Sequence, residues 1–257
     1  MLLDKKTVVI VGAAGAIGEA VARRAAAEGA KLHLFGRTEE PLTRLARELG
    51  AQAHVGDATD ENTVEAVFRR VVEADEQLDM TFNAVGPRAA ECGYGLPAPA
   101  LPVEQFLRTM LVVAGSQFLV ARAAARHMTT RGRGVIVTLS ASLSGQFVPL
   151  MTGITAACSA VEGLTRSLAA EVGPRGVRVV CVRAGGMPAT RTIQETSAAI
   201  ARSTGTPMDA SSTSPNLLRR PLAPAEVAAA VTWLGSDAAS GIDGQILNVC
   251  AGSIVSR

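Results

Sequence analysis

The stretch VVIVGAAGAIGEAV, residues 8–21, decides the fold of this 257-residue chain. It begins with an apolar, β-branched run typical of a buried strand and ends with apolar residues at helical spacing. Between them, Gly12 suits a tight turn, Gly15 permits close approach of a ligand to the backbone, and Gly18 lets the helix lie against the strand. Unpaired amides at the start of such a helix bind anions, so the stretch predicts a dinucleotide site that holds a pyrophosphate.

Short apolar runs recur along the whole chain and alternate with helical patterns. The predicted strands cover residues 7–11, 31–35, 53–55, 80–82, 135–139, 177–182 and 246–249. Parallel strands need long crossovers, and right-handed crossovers place helices on both faces of a sheet. The sequence therefore predicts one Rossmann-type, doubly wound α/β domain over residues 1–257, with a seven-stranded parallel sheet.

Two stretches break this alternation. Residues 87–102 are rich in Pro, Gly and Ala, and residues 185–221 are rich in Ser, Thr and Pro. Both follow carboxyl ends of predicted strands, where open α/β sheets bind their ligands. We expect them to be substrate loops, and plain surface loops are the alternative.

Composition excludes several classes of protein. Hydrophobic residues make up 48% of the chain and the net charge is only +2, so the chain is globular and lacks the basic stripe that nucleic acid requires. The first residues lack a signal-peptide pattern, and we find no apolar run of membrane-spanning length. Four scattered cysteines indicate neither a metal site nor a disulfide framework. We expect a cytoplasmic protein with a small-molecule substrate and no membrane partner.

The residues after the second predicted strand bear on cofactor choice. Gly36 stands where an NAD-specific site carries the acid that binds the ribose diol. Arg37 follows, and a guanidinium there can grip a 2′-phosphate with two hydrogen bonds. The sequence favours NADP over NAD, although Arg37 as a solvated loop residue is the alternative.

Several further motifs occur in a fixed order. They are DATD at 57–60, LDMTFNAVG at 78–86, GVIVTLSAS at 134–142, EGLTRSLAAE at 162–171 and VRVVCVRAG at 177–185, followed by 224–249. Together with the glycine turn they resemble the short single-domain branch of the short-chain dehydrogenase/reductase family, over nearly the whole chain. The resemblance implies an oxidoreductase that uses a nicotinamide cofactor, for which Arg37 favours NADP. It also implies this cofactor-binding set: Gly12, Ala14, Gly15, Ile17, Gly18, Arg37, Asp57, Ala58, Asn83, Ala84, Val85, Ala184 and Gly185.

The resemblance breaks at the catalytic residues. Members of the family use a tyrosine to exchange a proton with the substrate oxygen, and a lysine four residues later to lower its pKa. The tyrosine position falls on Ile154, the lysine position on Cys158, and a supporting asparagine falls near Val112. The only tyrosine in the chain is Tyr94, and no lysine follows Lys31. The catalytic tetrad is therefore expected to be degenerate.

Three side chains remain as catalytic candidates. Ser142 matches the family's serine, with Ser140 as the alternative. Cys158 qualifies if a helix N-terminus or a cation lowers its pKa. Tyr94 lies in a glycine-flanked loop and can supply a phenol to the cleft. The histidines are expected to be structural.

Two functions follow, and they differ in chemistry. The first is an NADP-dependent oxidoreductase with an atypical active site. The second is a catalytically inactive NADP-binding pseudoenzyme that acts as a sensor or a partner subunit. The resemblance also implies a homotetramer built through two long helices, predicted here at 103–130 and 155–172.

Overall fold

The predicted parallel sheet is present in the computed structural model, which describes residues 1–206 and 216–255. Seven strands lie in the order β3-β2-β1-β4-β5-β6-β7, and every neighbouring pair is parallel. They are β1 (Thr7–Val11), β2 (Lys31–Gly36), β3 (Gln52–Val55), β4 (Met80–Asn83), β5 (Gly134–Ala141), β6 (Val177–Ala184) and β7 (Ile246–Val249). The predicted fold class is confirmed, and β5 and β6 run two residues beyond the predicted ends.

Helices cover both faces of this sheet. They are α1 (Ala16–Ala27), α2 (Glu39–Leu49), α3 (Glu61–Asp75), α4 (Val103–Met110), α5 (Ser116–Arg131), α6 (Thr152–Val172), α7 (Arg191–Thr204) and α8 (Pro224–Leu234). Alternate residues of β1 point to opposite faces, so Val8 and Ile10 pack with α1, α2 and α8. Val9 and Val11 pack with α3, α5 and α6. The helices on both faces thus pack against the fully buried strand β1. This packing holds the carboxyl edge of the sheet in position.

The helix predicted at 103–130 is continuous but not uniform. A π-helical segment, Leu111–Gly115, separates α4 from α5. By length and composition alone, the continuous helix Val103–Arg131 of 29 residues could cross a membrane. One of its faces, however, packs against the sheet through residues such as Val120, Ala124 and Met128, as in a core helix.

The stretch predicted as a loop at 185–221 contains a helix. Helix α7 occupies Arg191–Thr204 and buries Ala199 and Ile200. Its many Ser and Thr residues have low helix propensity, so the sequence pattern indicated a loop. Residues 207–215 of the predicted loop lie outside the described part of the chain.

Candidate active site

A cavity of about 720 Å³ opens at the carboxyl edge of the sheet. Such a volume falls in the range of small-molecule and cofactor sites, about 300–1,000 Å³. Its walls come from the ends of β1, β2, β4, β5 and β6 and from α7. Both predicted substrate loops contribute to it, the first with residues 87 and 94 and the second with residues between 185 and 200.

The glycine turn forms one end of the cavity. Gly12 has φ of +71°, and a Cβ there would lie 2.9 Å from the carbonyl carbon of Ala84. A Cβ on Gly18 would lie 2.2 Å from the carbonyl oxygen of Gly12, so only glycine lets α1 sit this close to β1. Helix α1 begins immediately after Gly15, and its first amides have no partner within the helix. This cradle fits a diphosphate held against the start of α1.

Arg37 and Asp57 meet at the same edge, after β2 and β3. The Arg37 guanidinium lies 3.7 Å from the Asp57 carboxylate, and both side chains are partly exposed. Burial alone would raise the pKa of Asp57, but hydrogen bonds donated by Thr59 and the charge of Arg37 bring that pKa below its usual value. An ionised acceptor and an available guanidinium thus face the end of the cavity next to the glycine turn.

Most of the expected cofactor residues line this cavity. They are Gly12, Ala14, Gly15, Ile17, Arg37, Asp57, Ala58, Ala84, Val85, Ala184 and Gly185. Gly18 and Asn83 lie behind the wall. Asn83 is buried, accepts a hydrogen bond from the Val85 amide at 2.9 Å and donates one to Ser116 at 3.2 Å. Its contacts fix the turn after β4 rather than reach into the cavity.

Both candidate serines lie at the end of β5. The Ser142 hydroxyl donates to the Gln146 side-chain oxygen at 3.3 Å, a long hydrogen bond. The Ser140 hydroxyl donates to the Glu162 carboxylate at 2.9 Å and is held more firmly. Ser142 is therefore the serine with the hydroxyl more easily turned towards a ligand.

Ile154 and Cys158 also line the cavity, one turn apart on α6. Helix α6 begins at Thr152, three residues before the predicted start, so Cys158 lies in its second turn and not at the N-terminus. Burial raises the pKa of the Cys158 thiol to about 12, and the thiol accepts a hydrogen bond from the Ala141 amide at 3.4 Å. The expected route to a reactive thiolate, a lowered pKa, is absent at this position.

A buried ion pair behind β5 was not anticipated from the sequence. Glu162 of α6 receives hydrogen bonds from Arg183 of β6 and from Ser140 and Ser144. Burial alone would raise the pKa of Glu162, but these donors lower it, and Arg183 also contacts Asn248 at 3.2 Å. Because Glu162 and Arg183 lie in different elements, the sequence alone does not indicate that they form a pair. The pair ties α6, β6 and β7 together beside the candidate serines.

The sequence predicted residues 185–221 as a substrate loop but did not single out the residues of this stretch that line the cavity. Met187, Thr190, Ile193, Thr196 and Ile200 all line the cavity. Ile193 and Ile200 lie two helical turns apart in the sequence. This spacing was a weak indication of a helix with one apolar face. These residues bring α7 over the cavity as a cover.

The three histidines lie away from the cavity. His33 and His54 pair in the core at 2.9 Å, and His33 also contacts Asp75 at 3.1 Å. His127 lies on α5. In residues 1–206 and 216–255, no group of three or more His, Cys, Asp or Glu side chains is placed to hold a metal ion.

Known proteins resemble this chain over almost its full length. A family model described as "Enoyl-(Acyl carrier protein) reductase" matches residues 12–253. Galactitol 2-dehydrogenase (L-tagatose-forming) from Cereibacter sphaeroides is 33% identical over 98% of this chain and 96% of its own. Cis-4-hydroxycyclohexanecarboxylate dehydrogenase from Sinomonas cyclohexanicum is 32% identical over 96% of each chain. The crystal structure of levodione reductase, 26% identical over 97% of each chain, superposes with a TM-score of 0.88.

Proposed function

Because the chain belongs to the short-chain dehydrogenase/reductase family, a family of oxidoreductases, we propose that it is an NADP-dependent oxidoreductase with an atypical active site. The observation that carries the proposal is the continuous cavity. It joins the glycine turn and Arg37 to Ser142 and to the apolar wall of α6 and α7. A dinucleotide and a small substrate can thus meet inside one cavity. When bound, the cofactor supplies or accepts a hydride, and the protein's contribution is orientation.

The preference for NADP rests on Arg37. Its guanidinium is partly exposed, stands at the cavity end next to the glycine turn, and has only a long contact to Asp57, at 3.7 Å. A 2′-phosphate can displace that contact and accept two hydrogen bonds from the guanidinium. Gly36 stands where an NAD-specific site has a carboxylate that binds the ribose diol, and glycine offers no such group. NAD is the weaker candidate for these reasons.

Proton exchange in this site has to proceed without the family's tyrosine and lysine. Ile154 has no exchangeable proton, and the raised pKa of Cys158 keeps its thiol protonated at neutral pH. We assign Ser142 as the hydrogen-bond donor to the substrate oxygen, with water as the proton source. Loss of general acid catalysis costs about 10²- to 10⁴-fold in rate. An activated alkene tolerates that loss better than a simple ketone, which agrees with the enoyl reductase description of the matching family model.

A second function is favoured by one specific observation. The cofactor end of the cavity keeps its glycines and Arg37, whereas an isoleucine and a buried thiol stand at the proton-exchange positions of α6. A pseudoenzyme that binds NADP as a sensor or partner subunit would retain the cofactor-binding residues and lose the residues that exchange a proton. Binding without turnover is its signature.

Assembly and location belong to the same proposal. Helices α4 and α5 expose an apolar stripe at helical spacing, with Val103, Leu107, Leu111 and Phe118 between 44% and 60% exposed. We propose that this stripe is covered in a homotetramer of the kind that the family resemblance implies. We expect the assembled protein in the cytoplasm.

The deciding experiment measures NADPH consumption with a panel of ketones, polyol oxidation products and enones. The enzyme proposal predicts turnover with at least one of them, and a slower rate in Ser142→Ala than in Ser159→Ala, which removes an exposed hydroxyl of α6 outside the cavity. Tight NADPH binding with no turnover across the panel would favour the pseudoenzyme instead.

A further inference from the structure

The chain's only tyrosine lies inside the cavity. Tyr94 is 7% exposed and packs in one cluster with Ile154 and Cys158 of α6. It also lines the cavity that contains Ser142. Tyr94 therefore lies beside the substrate half of the cavity, although it comes from the segment after β4, about sixty residues before α6.

The backbone around Tyr94 holds it there. Gly93 and Gly95 on either side have φ of +65° and +86°. A Cβ on Gly95 would lie 2.6 Å from the carbonyl oxygen of Ala199 in α7, and the Gly95 amide donates to the Leu150 carbonyl at 3.0 Å. The glycines are thus needed for a fixed, close-packed turn between α7 and the segment before α6, rather than for a mobile loop.

The hydroxyl of Tyr94 differs from the other buried hydroxyls of the cavity. Ser140, Ser142, Thr190 and Thr196 are each buried, and each donates a hydrogen bond to a protein acceptor. Within the part of the chain that the structure describes, the Tyr94 hydroxyl has no such partner. A hydroxyl that lines a cavity and has no protein acceptor is available to donate a hydrogen bond to a ligand.

The surroundings of this hydroxyl define what it can bind. Val113, Met151, Ile154 and Ile200 pack in the same cluster, so most of the contact area is aliphatic. A polyol would bury several hydroxyls with few free partners in this wall, which is unfavourable. A compact, mostly apolar ring or chain with one carbonyl oxygen, which can accept hydrogen bonds from both Tyr94 and Ser142, suits this wall.

We infer that Tyr94 is a substrate-binding residue whose hydroxyl donates a hydrogen bond to the single carbonyl oxygen of a compact, apolar ketone or enone. The inference rests on the proposed function, because it assigns the substrate class of that same cavity. Burial raises the pKa of the phenol well above its usual value, so Tyr94 stays neutral and acts as a donor rather than as a base. Its contribution is to orient the carbonyl and to stabilise negative charge that develops on the oxygen.

A single tyrosine gives this inference a direct readout. Fluorotyrosine incorporated into the full chain yields one resonance, from position 94, and the NADP-saturated protein is titrated with cyclohexanone and cyclohexenone. We expect the resonance to shift at saturation with either ligand. In methylenecyclohexane a carbon replaces the carbonyl oxygen of cyclohexanone. We expect this compound and galactitol to bind at least about 10-fold more weakly than cyclohexanone. An unmoved resonance with cyclohexanone and cyclohexenone would overturn the inference.

The variant Tyr94→Phe removes only the hydroxyl. We expect it to weaken cyclohexanone and cyclohexenone binding by about 10-fold or more while NADP binding is unchanged. Thr43→Val, which removes a hydroxyl of α2 outside the cavity, is the matched control. Equal ketone affinity in Tyr94→Phe and the parent would contradict the inference.

These results separate the two proposals. A shifted resonance without NADPH consumption would uphold the role of Tyr94 and refute the oxidoreductase. NADPH consumption at the same KM and kcat in Tyr94→Phe would uphold the oxidoreductase and refute the role of Tyr94.

Discussion

In the proposed function, the preference for NADP depends on Arg37. Its charge lies at the cavity end beside the glycine turn, where a 2′-phosphate would stand in the proposed complex. We predict that Arg37→Ala weakens NADPH binding by about 10- to 100-fold, the value of a charge-assisted hydrogen-bond pair, and leaves NADH binding nearly unchanged. Titration calorimetry measures both affinities.

The matched control is Arg44→Ala, which removes an exposed guanidinium from α2 outside the cavity wall. It should leave both affinities unchanged. A parallel loss of NADPH and NADH affinity in Arg37→Ala would show that Arg37 does not read the phosphate.

The sequence predicted the residues that line the glycine-turn end of the cavity better than those that line the other end. Gly12, Gly15 and Arg37 lie within one local motif, and strand–turn–helix geometry brings them together without further information. Tyr94 and the Glu162–Arg183 pair depend on how distant elements pack, so their partners cannot be found from local spacing. The position of Cys158 was predicted, but its raised pKa follows from burial that only the fold reveals.

At the scale of elements, the contact between α1 and β1 depends on Gly18. A Cβ at that position would lie 2.2 Å from the Gly12 carbonyl oxygen, which is backbone and cannot rotate away. We predict that Gly18→Ala lowers the free energy of unfolding by about 2–4 kcal/mol, because α1 must shift off the sheet. Urea denaturation measures the change.

Gly163 provides the comparison, since it also lies inside a helix, α6, but a Cβ there meets nothing within 4 Å. Gly163→Ala should be neutral or stabilising by up to about 1 kcal/mol, as helix propensity requires. Equal effects of the two substitutions would contradict the close packing proposed for the glycine turn.

A histidine pair joins β2, β3 and α3 in the core. His33 contacts both His54 and Asp75, and burial together with the charge of His33 lowers the pKa of His54 to about 4. Between about pH 6.5 and pH 4, His54 therefore binds a proton in the unfolded chain but not in the folded chain. We predict that the free energy of unfolding is not reduced by this group above pH 6.5 and falls by about 3 kcal/mol as the pH drops to 4.

Thermal unfolding between pH 7 and pH 4.5 tests this sign. In His54→Gln, whose amide can keep a hydrogen bond to His33 without titrating, the decrease should be smaller. An identical pH dependence in the parent and in His54→Gln would exclude His54 as its source.

The positions of the strands along the chain were predictable because most strands are short apolar runs between turn residues. Two elements were not. The π-helical segment Leu111–Gly115 shares the composition of an ordinary helix, and α7 is rich in Ser and Thr. In both cases packing against the cavity, rather than local propensity, determines the backbone.

For the whole molecule, the exposed stripe of α4 and α5 predicts self-association. Leu107 is 58% exposed at the middle of the stripe, and a charge there would be buried in the proposed tetramer. We predict that the parent elutes as a tetramer in size-exclusion chromatography with light scattering, and that Leu107→Asp dissociates it. Val55→Asp, at another exposed apolar residue, should not. A monomeric parent would contradict the proposed assembly.

The proposed function requires the cavity to be a dinucleotide site, and calorimetric titration of the full chain with NADPH is the most direct test. We predict saturable binding of one NADPH per chain, tighter than the binding of NADH measured in the same buffer. The absence of detectable binding for either nucleotide, in the reduced or the oxidised form, would contradict it.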